Sequence, residues 1–372
     1  MSKYTNILIT GSDGFIAKNL IAHLKDSPKA YNLLLFNKRN NFSDLESMLS
    51  KADFVFHLAG ENRPDNINDF KKNNTELTRT ICNIANNINP VPICFSSSIQ
   101  ALKSNDYGLS KLEAEKLLLD YEQRTSKRVF IYQLPGIFGK WSRPNYNSVV
   151  STFCHNIAKD IEIDIHDPSH KIDIVYVDDL IKSFVGLLSD ECKSQYVNLS
   201  TVYNISLGSL AKLIKGFHTS RKKFFVDEVG SGLKRALYST YLSYLPKEDF
   251  IYDNLVNVDK RGIFTEIIKT NNCGQVSFFT AKPNITRGIH YHHTKTEKFV
   301  VIQGEASLRF KNILTEESFT INVSSKKIQT IDTIPGWAHD ITNTGSDELI
   351  VVLWANEIFD NNNPDTFYKD TS

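Results

Sequence analysis

Four residues towards the C-terminal end, His290, His292, Glu297 and His339, supply three imidazoles and one carboxylate from a few short segments. That donor set suits Zn²⁺ or another first-row divalent ion, with room left for a water or a substrate oxygen. A lone His pair is more often structural than ligating. Here a His-x-His pair, Glu297, Gly304 and then Pro335-Gly336-Trp-Ala-His339 with Asn343 behind it form a spacing that chance rarely produces. His293 is extra to the set and is open to three readings: a residue behind the ligands, a proton acceptor, or an exposed side chain.

A second set stands in the first half of the chain. Tyr107-Gly-Leu-Ser-Lys111 opens a helical pattern that runs on through Leu119, and the four-residue spacing puts Tyr107 and Lys111 on one face. An ammonium beside a phenol lowers its pKa, so the tyrosine can trade a proton with an alkoxide near neutral pH. Upstream, Phe95-Ser96-Ser97-Ser98 ends a strand at its carboxyl edge, where a hydroxyl can bond a substrate oxygen. Earlier still, Thr10-Gly11-Ser-Asp-Gly14-Phe15-Ile16-Ala17 marks a strand-to-helix turn that can cradle a pyrophosphate. At the end of the second strand Asn37-Lys38-Arg39 offers two cations and no acid, which favours the 2′-phosphate of NADP; the competing reading is a solvated basic turn.

These residues need elements to hold them. Strands are predicted over Thr5 to Thr10, Leu33 to Phe36, Phe54 to Ala59, Val91 to Ser96, Val129 to Leu134 and Ile172 to Val177, with a helix over Phe15 to Leu24. The alternation argues for a doubly wound parallel sheet. After about residue 243 the texture changes to short strands with polar turns, among them Val276 to Thr280, Phe299 to Ile302 and Leu349 to Trp354, which reads as an all-β barrel or sandwich. Asn271 to Gly274 is a hairpin turn, and the tail from Asp360 to Pro364 reads as a loosely held end. We therefore expect a dinucleotide-binding domain over residues 1–243 and a β domain over 244–372.

At 372 residues the chain is too long for one core and suits two domains. A net charge of +1 gives no field that recommends nucleic acid or an anionic membrane, and no apolar run reaches the length of a membrane span. Five scattered cysteines with no CxxC pair read as buried free thiols, and the N-terminus has no signal-peptide anatomy, so a cytoplasmic protein is expected.

The glycine turn, His57-Leu58-Ala59-Gly60, Tyr107-x-x-x-Lys111 and Val177-Asp178-Asp179 together resemble the extended short-chain dehydrogenase/reductase family, a Rossmann fold, over residues 5 to about 240. The resemblance implies that Ser98, Tyr107 and Lys111 are catalytic. It further implies that Gly11, Gly14, Phe15, Ile16, Asn37, Lys38, Arg39, Leu58, Ala59 and Lys111 hold NADP(H). Ser98-Ile99-Gln100 stands where sugar-nucleotide dehydratases of that family carry Thr-Asp-Glu, which argues against dehydration. Leu134-Pro-Gly-Ile-Phe-Gly139 and Arg143 to Asn147 sit where the family binds its nucleotide-sugar. The two C-terminal segments resemble the paired motifs of the cupin jelly-roll, which implies His290, His292, Glu297 and His339 as metal ligands.

The combination is similar to the bifunctional capsular-polysaccharide enzymes of the CapF type, in the UDP-N-acetyl-L-fucosamine pathway. Arg143 to Ser148, Thr152 to Asn156 and Tyr241 to Pro246 share that likeness. The resemblance implies C3 epimerisation of a UDP-2-acetamido-2,6-dideoxy-4-hexulose in the cupin, NADPH-dependent reduction at C4 to UDP-N-acetyl-6-deoxy-L-talosamine, and a homodimer. Two rivals make different predictions. A monofunctional keto-sugar reductase with a non-catalytic cupin keeps its turnover in His290→Ala, and a nucleotide-sugar or NADPH sensor binds cofactor without oxidising it.

Overall fold

In the N-terminal half, the apolar runs pair as a parallel sheet. In chain order the elements are β1 (Asn6–Thr10), α1 (Phe15–Lys25), β2 (Asn32–Phe36), α2 (Phe42–Leu49), β3 (Phe54–His57), α3 (Asn68–Phe70), α4 (Leu77–Ile88), β4 (Ile93–Ser98), α5 (Asp106–Thr125) and β5 (Val129–Leu134). The sheet runs β2-β1-β3-β4-β5, and every neighbouring pair is parallel. Strand residues alternate between two cores. Ile7, Ile9, Phe54, Phe56 and Tyr132 pack against Leu20 and Leu24 of α1 on one face. Leu8, Val55, Ile93 and Ile131 pack against Leu45 of α2, Ile81 of α4 and Leu118 of α5 on the other. Burying one such side chain contributes about 1.5–3 kcal/mol, which is why both faces read as continuous apolar strands. The sheet is doubly wound, and its order reverses between β1 and β3, where ligands enter such folds.

This half continues through β6 (Gly136–Phe138), α6 (Val149–Ala158), β7 (Lys171–Tyr176), α7 (Val177–Gly186), β8 (Tyr203–Ser206), α8 (Leu207–Lys222) and α9 (Gly232–Leu242). The β7 strand lies parallel to β6 and antiparallel to β8.

The computed structural model describes residues 5–64, 66–189 and 195–371. Contacts divide the chain into two compact units, Met1–Lys215 with Gly230–Pro246, and Gly216–Val229 with Lys247–Ser372.

The second unit is all-antiparallel apart from one short addition. Its strands are β9 (Val256–Asp259), β10 (Gly262–Thr270), β11 (Gly274–Ala281), β12 (Thr286–Tyr291), β13 (Glu297–Gln303), β14 (Glu305–Asn312), β15 (Ser318–Ser324), β16 (Thr330–Asp332), β17 (Trp337–Asn343), β18 (Leu349–Ala355) and β19 (Phe367–Tyr368). They form one sheet ordered β16-β13-β18-β11-β10-β9 and another ordered β15-β14-β17-β12-β19. Phe279, Phe299, Val351 and Leu353 from the first meet Leu308, Phe310 and Ile341 from the second in a shared core. Outside the main ladders, Phe225 bridges in parallel to Lys269 of β10, with Val226 N donating to Lys269 O at 2.8 Å. The expected hairpin turn joins β10 to β11, with Thr270 paired to Gly274.

Cys82, Cys94 and Cys154 are the buried thiols expected. Cys273 is not buried: it sits exposed in the β10–β11 turn, whose backbone carbonyl accepts Trp354 Nε1 at 2.7 Å. Cys192 lies outside the described residues. Among the described residues no helix is long and apolar enough to cross a membrane.

Candidate active sites

A cleft of about 1240 Å³ opens at the carboxyl ends of β1, β3 and β4. Its floor is the β1–α1 turn. Gly11 adopts φ +67°, and a Cβ there would lie 2.7 Å from Ala59 Cα, so only glycine lets the turn meet the end of β3. Gly14 caps α1 with no side-chain hydrogen bond and no acid in the first turn, leaving the amide donors and the positive end of the helix dipole for an anion. His57 supports this floor from beneath. Its Nδ1 lies 2.8 Å from Thr10 Oγ1 and its Nε2 lies 2.9 Å from Thr78 Oγ1. Burial, then the charge of Lys111, lowers its pKa to about 3, so it is a neutral brace.

Tyr107 and Lys111 stand on α5, which Asn105 caps by accepting Gly108 N at 2.8 Å. A Cβ on Gly108 would lie 2.1 Å from Gln100 O, so glycine after Tyr107 allows the short connection from β4 to press against the helix. Tyr107 hydrogen-bonds Ser98, and burial raises its pKa. Against the expectation of a phenol lowered beside an ammonium, burial is the larger influence here. Lys111 Nζ donates instead to Ser96 O at 2.9 Å and lies 4.7 Å from the Phe95 ring centre. Burial lowers the pKa of Lys111 itself to about 8, against an opposing contribution from Glu115.

The cleft is lined by Gly11, Gly14, Phe15, Ile16, Asn37, Lys38, Leu58, Ala59, Ser98, Tyr107 and Lys111. Leu134 to Ile137, Tyr146 and Asn147 line it too. Arg39 does not; it is exposed and pairs with Asp13 at 3.4 Å. Arg143 also stays outside the lining, stacked 5.2 Å from the Tyr146 ring centre. Sequence reasoning missed Glu61, which accepts from Tyr146 O–H at 2.6 Å and lies 3.6 Å from Lys38 Nζ. Its place directly after His57-Leu-Ala-Gly60 was the available signal.

In the β unit the four expected ligands converge: one donor atom each from His290, His292, Glu297 and His339 falls within 4.8 Å of the others. Glu297 opens β13 in one sheet, while His290 on β12 and His339 on β17 face it from the other. A bulge on β12 aims His290: the register shifts between Gly288 and His290, with Ile289 at φ +67°. Glu297 Oε2 lies 3.4 Å from Nε2 of both His292 and His339. An ion held about 2.0–2.1 Å from tetrahedral ligands separates them by roughly 3.3 Å. The buried His339 Nε2 makes no hydrogen bond despite that neighbour, as expected of atoms aimed at a common centre. Opposite ring nitrogens face carbonyls, His292 Nδ1 at 2.6 Å from Asp365 O and His339 Nδ1 at 3.3 Å from Trp337 O, which leaves each Nε2 lone pair pointing inward. Burial, then His339, lowers His290 to about 4. Burial pulls the Glu297 carboxyl upward, but the close approach of the His292 and His339 rings outweighs it and holds it well below the usual range. The set fits a divalent cation.

His293 is exposed and packs on Phe367, with ring centres 4.8 Å apart, outside the converging group. Beyond the loose end expected at Asp360 to Pro364, the chain is held again. Phe367 and Tyr368 pair with β12, and the Asp365 carboxylate accepts from the backbone of His293, Thr294 and Lys295.

Comparison with known proteins agrees with both halves. Residues 7–205 match the NAD dependent epimerase/dehydratase family, and residues 257–367 match the polysaccharide biosynthesis C-terminal domain. A UDP-2-acetamido-2,6-beta-L-arabino-hexul-4-ose reductase of Pseudomonas aeruginosa is 46% identical over 363 residues, 97% of each chain. The crystal structure of the capsular polysaccharide assembling protein CapF from Staphylococcus aureus superposes with a TM-score of 0.92 at 40% identity, covering 98% of this chain and 100% of that one. The same protein in space group C2221 gives 0.85 at 35% identity, with the same coverage.

Proposed function

The chain belongs to the NAD dependent epimerase/dehydratase family as an enzyme of the CapF type, and from that premise we propose a bifunctional nucleotide-sugar enzyme. It is a UDP-sugar 4-keto reductase of the extended short-chain dehydrogenase/reductase class that uses a nicotinamide cofactor. In the finer reading, the β unit is a zinc cupin that epimerises C3 of UDP-2-acetamido-2,6-dideoxy-4-hexulose. The N-terminal unit then reduces C4 with NADPH, giving UDP-N-acetyl-6-deoxy-L-talosamine for capsular polysaccharide in the cytoplasm. The observation that carries it is the presence of two built sites: Ser98, Tyr107 and Lys111 in the cleft, and an inward-aimed set of three imidazoles and a carboxylate elsewhere.

NADPH, when bound, supplies the hydride to C4. Tyr107, already held by Ser98, is the proton donor to the C4 oxygen, and its raised pKa keeps it protonated and ready to donate. Ser98 orients the carbonyl. Lys111, buried beside the cleft, holds the ribose and keeps a positive charge near the forming alkoxide. Lys38, on the cleft wall, would supply the charge that favours the 2′-phosphate of NADPH over NADH. A divalent ion, if bound by these four side chains, would supply positive charge that polarises a ketone and acidifies the carbon beside it. His290, His292, Glu297 and His339 would hold it, with the His292 and His339 rings buried. Reduction of the epimerised ketone draws the reversible first step forward.

A homodimer is part of the reading. Edge strand β9 and its approach expose Phe250, Ile251, Leu255 and Val258, a patch that a second copy would cover. Sedimentation of the intact chain tests it, a monomer being the adverse result.

The deciding experiment supplies NADPH and the UDP-4-keto-6-deoxy-N-acetyl sugar in D₂O and locates deuterium in the product by NMR. Reduced sugar labelled at C3 supports both activities. Reduced, unlabelled sugar removes the epimerase, and unchanged NADPH removes the substrate assignment.

A further inference from the structure

We propose that the C-terminal tail is a working part of the four-ligand pocket, with Asp365 as the positioning residue that turns His292 to the centre. The inference rests on the metal-binding reading above. Asp365 acts twice. Its backbone carbonyl accepts from His292 Nδ1 at 2.6 Å, which fixes the ring and its tautomer and directs Nε2 inward. Its carboxylate accepts from the amides of His293 at 3.0 Å, Thr294 at 2.8 Å and Lys295 at 2.8 Å, and from Thr294 Oγ1 at 3.0 Å. Those amides belong to the loop that leads from His292 to Glu297. One residue therefore sets the ring of one ligand and the path of the chain to the next.

The neighbours of Asp365 reinforce the hold. Lys295 Nζ is buried and donates to Pro364 O at 3.2 Å and Thr366 Oγ1 at 2.9 Å. Tyr368 pairs across from His290, so the tail also backs the strand carrying a second ligand. An anion seated on consecutive amides is a rigid anchor, because each donor would be left unpaired without it.

The test measures the Zn²⁺ dissociation constant of the intact chain by chelator competition, together with the visible absorption of the Co²⁺ form. Loss of a group that orients a ligand costs about 10–100-fold in metal affinity. Asp365→Ala is expected to fall in that range, with a weakened and shifted Co²⁺ band, while His290→Ala, which removes a ligand outright, loses more. Asp365→Asn keeps the volume and the backbone carbonyl and is expected to weaken binding by about tenfold. Wild-type affinity and an unchanged Co²⁺ band in Asp365→Ala would overturn the proposal. Should that variant fail to fold, a folded Asp365→Asn with unaltered affinity overturns it instead. A wild-type chain that takes up no Zn²⁺, indistinguishable from His290→Ala, would remove the metal reading itself and this inference with it.

Discussion

In the N-terminal unit much of what faces a ligand is backbone: the open amides at the start of α1, the glycine turn pressed on Ala59, the carboxyl ends of β1, β3 and β4. In the β unit the converging atoms are all side-chain donors, with the His292 and His339 rings oriented from behind by backbone carbonyls. A nucleotide is long and polyanionic, so it can be held by a conformation that many sequences adopt. A metal ion needs particular donor atoms at fixed distances. The first site therefore depends mainly on backbone conformation, and the second on four particular side chains.

The sharpest way to break this contrast is to remove one proton donor. Tyr107→Phe is expected to lower kcat for NADPH oxidation by about 10²–10⁴-fold, while deuterium exchange into the unreduced sugar continues. His290→Ala should do the reverse, abolishing exchange while a pre-epimerised sugar is still reduced. If either variant lost both activities in a folded protein, the assignment of one reaction to each site would fail.

Next is the one wall residue of the cleft given a specific charge. Lys38→Met should raise KM for NADPH by about 10–100-fold, the worth of a charge-assisted hydrogen bond, and leave KM for NADH unmoved. Equal losses for both cofactors would mean that Lys38 does not read the phosphate.

How legible these features were differs by site. The converging set of three imidazoles and a carboxylate was visible in the sequence because it is made of side chains at fixed spacing. Arg39 stands apart from Lys38 because a turn after a strand sends neighbouring residues in different directions: Lys38 lines the cleft while Arg39 pairs with Asp13 in solvent. Glu61 and Asp365 were missed because each acts across a distance in sequence, Glu61 on Tyr146 and Asp365 on His292. The strands were legible because both faces of the sheet are buried.

A pH profile gives a smaller effect with a definite sign. Burial lowers Lys111 to about 8, so its ammonium is lost as pH rises through that value, and kcat/KM should fall by about tenfold per pH unit above it. Stability should move oppositely. Between about pH 8 and the ordinary lysine range the unfolded chain binds the extra proton, so the unfolding free energy rises with pH. Urea titrations would show that rise in the native chain and its absence in Lys111→Met.

The smallest expected effect is for Arg39→Ala, which should shift KM for NADPH by no more than about twofold, since an exposed ion pair contributes little. A larger shift would return Arg39 to the phosphate site.

The short bridge from Phe225 to Lys269 has a consequence for how such an enzyme can be inherited. The chain crosses between its units at Lys215, at Val229 and at Pro246, and α9 returns to pack on α6 after the bridge is made. A single break in the gene at any of these points strips either α9 from the nucleotide-binding unit or the added strand from β10. Two neighbouring genes are thus a poor source or successor of this protein. Its two sites are expected to be gained, lost and transferred together.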